Sequence, residues 1–184
     1  STSVQAPLAL WQREAFERLQ NNSNIAQGLY YGAMVVIAVY NLLIFLVLWE
    51  RSYLFYVLFV LSLPLFMASI SGHAYHYLWP QSVVWNDHAI PFFLGLAFAS
   101  SALFARRFLQ VKEWSAWLHK GLTLVATFAG GCVVMSFVVP YYVSIQLLVP
   151  LGLFACVFEM AVGLMAWYNK VPNARYYVVA WMSF

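Results

Sequence analysis

Charge is what this chain has least of. Asp, Glu, Lys and Arg make up 8% of its 184 residues, where a soluble domain carries roughly 25%. Nine basic and six acidic side chains cannot clothe a water-facing globule of this length. The shortage excludes an ordinary soluble domain, a disordered chain and a nucleic-acid binder with a basic face. Cysteine is nearly absent too. Cys132 and Cys156 lie in apolar runs, so there is no disulfide framework and no CxxC motif. The opening Ser1-Thr2-Ser3 has no basic stretch or signal-peptide pattern behind it. GxSxG, HExxH, P-loop and paired-aspartate signatures are missing from the chain, which removes the common catalytic constellations. What is present is apolar: 64% hydrophobic, 19% aromatic, with a mean hydropathy of +0.77. This is the composition of a membrane protein.

A helix needs about 20 mostly apolar residues to cross a hydrocarbon core. Five stretches qualify, at about 28–49, 53–71, 89–105, 117–139 and 143–168, and a sixth opens at 176 and runs to 184. The run from Gly121 to Phe158 carries no charge and is divided by Pro140-Tyr141-Tyr142. Segments such as Leu42-Leu43-Ile44-Phe45-Leu46-Val47-Leu48 do not alternate as barrel strands must, so helices are the expectation. The fold class is therefore all-α, a polytopic transmembrane helix bundle. Pro64 and Pro150 fall inside spans, as ordinary membrane prolines do. The chain reads as a piece of a longer protein.

Orientation follows from the basic residues of the short loops. Arg51, Arg106, Arg107, Lys112, Lys120, Lys170 and Arg175 share one side, against Arg13 and Arg18 on the other. The first group is expected in the cytoplasm and the N-terminus outside. Trp49, Trp79, Trp85, Tyr141, Tyr142, Trp167 and Tyr168 fall at the expected boundaries as an aromatic belt. Residues 1–27 differ in character. Leu8, Trp11, Ala15 and Leu19 repeat at helical spacing, Glu14 precedes Arg18 by four, and Asn21-Asn22-Ser23-Asn24 follows. This predicts an extracytoplasmic amphipathic connector, interrupted at the Asn-rich stretch before the membrane domain of 28–184.

Inside the spans, Glu159 is the one deep carboxylate. An acidic residue at a helix centre costs about 2.5–3.5 kcal/mol to insert. Gly152, Ala155, Cys156, Gly163 and Ala166 lie on its helical face, and small residues let another helix approach. Glu159 is expected to point into the bundle as a protonated, hydrogen-bonded acid. Asn41, Ser62, Ser100, Ser101 and Thr127 fall near the same depth, which suggests a polar layer with Asn41 and Glu159 as its strongest members. Such groups serve as interhelical glue or as a bistable switch. Gly28-Leu29-Tyr30-Tyr31-Gly32 carries a GxxxG spacing, whose default use is packing within the chain.

The outer loop gathers His73, His76, Asp87 and His88, a set that could bind zinc or copper but has no tight spacing to fix a geometry. A wet interfacial loop is the simpler reading, so no metal and no cofactor is expected. A haem pair would need histidines within the spans. The loop from Arg106 to Lys120 carries Phe108, Leu109, Val111, Trp114, Trp117 and Leu118; these are expected to lie amphipathically on the inner leaflet or to meet another part of the protein.

Several of these pieces resemble a known pattern in order. They are Gly28 to Gly32 followed by Tyr40-Asn41-Leu42, then Arg51-Ser52-Tyr53-Leu54-Phe55-Tyr56, then Tyr77-Leu78-Trp79-Pro80. Phe104-Ala105-Arg106-Arg107-Phe108-Leu109 and Ala174-Arg175-Tyr176 complete it. Together they resemble the bacterial seven-transmembrane receptors with diverse intracellular signalling modules. The resemblance implies five complete spans and the start of a sixth, out of seven. It implies an outer sensor domain upstream and a cytoplasmic output domain downstream, of diguanylate cyclase or histidine kinase type. The membrane piece itself would then have no catalysis of its own. Expected partners are the lipid bilayer, those two domains of the same protein and a second copy in a homodimer, with no nucleic acid. The expected location is the bacterial inner membrane. The alternatives are a small-solute or ion transporter or channel, and a membrane redox protein using a metal held by the outer loop.

Overall fold

The computed structural model describes residues 13–182, with side chains from Asn24 onward apart from Val83. Most of residues 1–27, the expected connector, therefore lies outside the described side chains. The described chain forms helices and short connections: α1 (Arg13–Leu48), α2 (Arg51–Ile70), α3 (His73–Tyr77), α4 (Val83–Phe108), α5 (Val111–Trp114), α6 (Ala116–Met135), α7 (Tyr141–Tyr168) and α8 (Ala174–Met182). Five of them are long and apolar enough to cross a membrane, so the fold is an all-α transmembrane bundle. Long apolar runs close every backbone hydrogen bond within themselves, which is the requirement lipid imposes.

One expected feature is replaced. α1 is a single helix from Arg13 to Leu48 and passes through Asn21-Asn22-Ser23-Asn24 without interruption. Asparagine and serine lower helix propensity by only a few tenths of a kcal/mol each, too little to break a helix already nucleated on both sides. Pro64, Pro91 and Pro150 all sit inside continuous helices.

α4 is the hub. It packs against α2, α6 and α7, while α1 rests chiefly on α2, and α8 on α7. The α1–α2 contact holds a small buried cluster of Ala38, Val57 and Val60. The main core is a second cluster, where Leu109, Val111, Leu122, Val162 and Val178 are fully buried. The connection between α4 and α6 therefore folds inward instead of lying on a leaflet. Leu109, Val111 and Leu118 are core residues, and Trp114 donates its indole N–H to the Leu109 carbonyl at 3.0 Å. Trp117 alone of the expected apolar set faces outward, 76% exposed. At the far end, Trp79 and Trp85 cluster with Phe92, Phe93 and Phe137, so these two tryptophans tie α4 to the end of α6.

Candidate functional site

Glu159 is 1% exposed. It shares the buried face of α7 with Leu148, Gly152, Ala155, Val162, Gly163 and Ala166; Cys156, expected on that face, is exposed. The small residues bring neighbours close. A Cβ on Gly152 would stand 2.2 Å from Phe98 Cζ, and one on Gly163 would stand 2.8 Å from the Tyr177 ring. The first glycine seats α4 on α7, and the second seats α8 on α7.

Those two approaches meet at the acid. Ser101 Oγ on α4 lies 3.0 Å from Glu159 Oε1 and 3.0 Å from the Phe98 carbonyl oxygen. A serine hydroxyl has one proton and cannot donate to both. Both contacts are satisfied together when Glu159 carries a proton: its O–H donates to Ser101 Oγ, and Ser101 donates to Phe98. On the other side, the Tyr177 hydroxyl of α8 interacts with the carboxyl. By strict geometry neither Glu159 Oε2 nor Tyr177 Oη closes a hydrogen bond. The carboxyl is thus gripped at one oxygen and free to engage at the second. These three side chains form one polar wall of an otherwise apolar crevice of about 320 Å³, whose other sides include Met34, Val60, Leu63 and Trp181.

The rest of the expected polar layer turns back on its own helices. Asn41 Nδ2 donates to the Ile37 carbonyl at 2.8 Å, and Ser62 to that of Leu58 at 2.6 Å. Ser100 donates to the Leu96 carbonyl, and Thr127 to that of Leu124 at 3.0 Å. Asn41 lines a separate cavity with Tyr53, Tyr56 and Asn173, away from Glu159. Among the layer's members, the structure joins Ser101 and Glu159. Tyr177 was absent from the sequence reading; its signal was a matching depth opposite a glycine, Gly163, on the neighbouring span. Interhelical hydrogen bonds in membranes average about 0.6 kcal/mol, so Ser101→Ala is expected to cost about that much in a detergent unfolding titration.

The other expected groups are placed as follows. Arg51, Arg106, Arg107 and Lys112 line one charged cavity at the end of the bundle, while Lys120, Lys170 and Arg175 are not among its lining residues. Gly28 and Gly32 have nothing within 4 Å of an added Cβ, so this GxxxG does not mediate close packing within the described chain. His73 Nδ1 pairs with Ser71 Oγ at 2.9 Å, His76 packs on Tyr77, and His88 stands near Phe137. Among the described residues, no three His, Cys, Asp or Glu side chains, Asp87 included, are grouped to hold a metal ion.

A family model described as 7TM diverse intracellular signalling matches residues 23–184. No curated protein and no solved structure matches the chain.

Proposed function

The chain belongs to the 7TM diverse intracellular signalling family, a membrane sensor and signalling domain, and from that premise we propose how it relays a signal. It sits in the bacterial inner membrane with its N-terminus outside and its basic end in the cytoplasm. A stimulus received by an outer domain upstream reaches α1 and passes through α2 to the bundle. The output is a cytoplasmic domain of diguanylate cyclase or histidine kinase type, and the membrane piece performs no chemistry itself.

The observation that carries this reading is the position of Glu159 between Ser101 of α4 and Tyr177 of α8. One carboxyl facing two hydroxyls on different helices offers two hydrogen-bond arrangements, as a bistable element requires. In one, Glu159 is bonded to Ser101 and the second oxygen is idle. In the other, a shift of α8 along α7 brings the Tyr177 hydroxyl into bonding distance, so that α8 is coupled to α4 through the acid.

The test is the dose–response of the output activity in the protein carrying its output domain, with Glu159→Gln. Glutamine keeps the shape but has no hydroxyl proton to give. One hydrogen bond is worth about 1 kcal/mol, so the half-maximal dose is expected to move about fivefold at unchanged protein level in the membrane. A wild-type curve at every dose would reduce Glu159 to a packing contact and remove the relay.

A further inference from the structure

Four basic side chains converge where the spans end. Arg51 opens α2, Arg106 and Arg107 close α4, and Lys112 lies on α5; together they line a cavity of about 370 Å³. His119 of α6 and the carboxylates Glu50 and Glu113 complete its charged lining. Four fixed cations against two carboxylates leave the cavity positive.

The arginines are positioned by neutral neighbours. Arg106 Nη1 donates to Thr123 Oγ1 at 2.8 Å, and Thr123 in turn donates to the His119 carbonyl at 2.7 Å. The Arg107 guanidinium lies over the Phe55 ring, 5.4 Å from its centroid. Nε of Arg106, Nε of Arg107 and Nδ1 of His119 are all buried without a hydrogen-bond partner. The two arginine Nε–H groups are buried donors left unpaired, which is costly, and such donors on guanidinium groups are complementary to a tetrahedral oxyanion. The inward-folded connection fixes this geometry: Leu109 and Val111 are fully buried, and Gln110 between them takes a left-handed backbone, φ 48°.

We propose that Arg51, Arg106, Arg107 and Lys112 form a binding site for a phosphate group, carried by an anionic phospholipid of the adjoining leaflet. Two observations favour the lipid over a free anion. The cavity lies at the level where α1 and α4 end and α2 and α6 begin, which is the headgroup depth of the bilayer. It also shares Glu50, Ser52, Arg107 and Gln110 with a second cavity. That one reaches Tyr56, Phe104 and Phe108, which border the apolar crevice. A charged mouth opening onto an apolar slot matches a molecule with a phosphate head and a hydrocarbon tail. The site stands whether or not the bundle relays a signal.

Native mass spectrometry of the detergent-purified protein tests this with three probes: phosphatidylglycerol, phosphatidylcholine of the same chains, and inorganic phosphate. Phosphatidylglycerol is expected to bind at least about tenfold more tightly than phosphatidylcholine. The pair Arg51→Gln with Arg107→Gln is expected to abolish that preference, and Arg51→Gln alone to reduce it about threefold, through the loss of one of the contacts. Lys120→Gln with Arg175→Gln removes the same charge outside the cavity and is expected to leave the preference intact. Equal losses in the two pairs, or no preference in the unsubstituted protein, would overturn the site. Inorganic phosphate binding that is lost with Arg51 and Arg107, without any lipid preference, would overturn the lipid as the source.

Discussion

Gly152→Val is expected to unfold the bundle at a markedly lower denaturant level than the unsubstituted protein. The α4–α7 contact runs through this glycine, where an added Cβ would meet Phe98 Cζ at 2.2 Å and Cε2 at 2.5 Å. The ring is half-buried and three of its atoms face the added Cβ, so the bulkier valine forces the ring out of its place between α4 and α7 or pushes the two helices apart. Overpacking of this kind costs about 3 kcal/mol. Gly131→Ala, with nothing within 4 Å of its added Cβ, is the matched control. Helix propensity alone gives it a gain of up to about 1 kcal/mol. The measurement is a detergent unfolding titration on membranes extracted at equal yield, with Phe98→Ala added to Gly152→Val. That second substitution is expected to recover most of the loss, because the two residues share one contact. A Gly152→Val protein that unfolds with the original midpoint would mean that α4 and α7 do not approach there.

The second large effect is expected from Glu159→Lys. Glutamic acid can stand at this depth as a neutral donor; an ammonium has three N–H groups and keeps its charge unless it sheds a proton. At a site 1% exposed, the neighbours Ser101 and Tyr177 supply hydroxyl oxygens but no carboxylate. A buried charge left without a partner costs about 3–5 kcal/mol, a large share of the roughly 5–15 kcal/mol that holds a domain folded. Glu159→Lys is therefore expected to give little folded protein after extraction, while Glu159→Gln extracts normally. Monodispersity on size-exclusion chromatography reads the difference. Folded Glu159→Lys in normal yield would place the carboxyl against water.

The spans were legible because lipid imposes one rule on every backbone group, and apolar runs of helical length have a single way to obey it. Their ends were less legible. α4 begins at Val83, several residues before the expected 89, because Trp85 is held in the aromatic cluster with Phe92 and Phe137. The inward fold of Leu109 and Val111 was hidden for a different reason. Their spacing also suits an amphipathic segment on a leaflet, and burial depends on α6 and α8 packing from far along the chain. Glu159 was visible as a lone acid among small residues. Its neighbours were not, since Asn41 and Ser101 have similar depths and only the packing order, α1 on α2 and α4 on α7, decides which one reaches it.

α1 spans 36 residues, roughly 54 Å at helical rise, and among its described side chains the one buried in the bundle is Ala38. That makes it a lever with unequal arms. The arm toward Arg13 is roughly 37 Å long and the arm toward Leu48 roughly 15 Å. A swing of about 5° would sweep the long end through about 3 Å and the short end through only about 1 Å in the opposite sense. Such a rod gears down displacement and multiplies force, so a weak, broad push at one end arrives as a small, firm shove at the other.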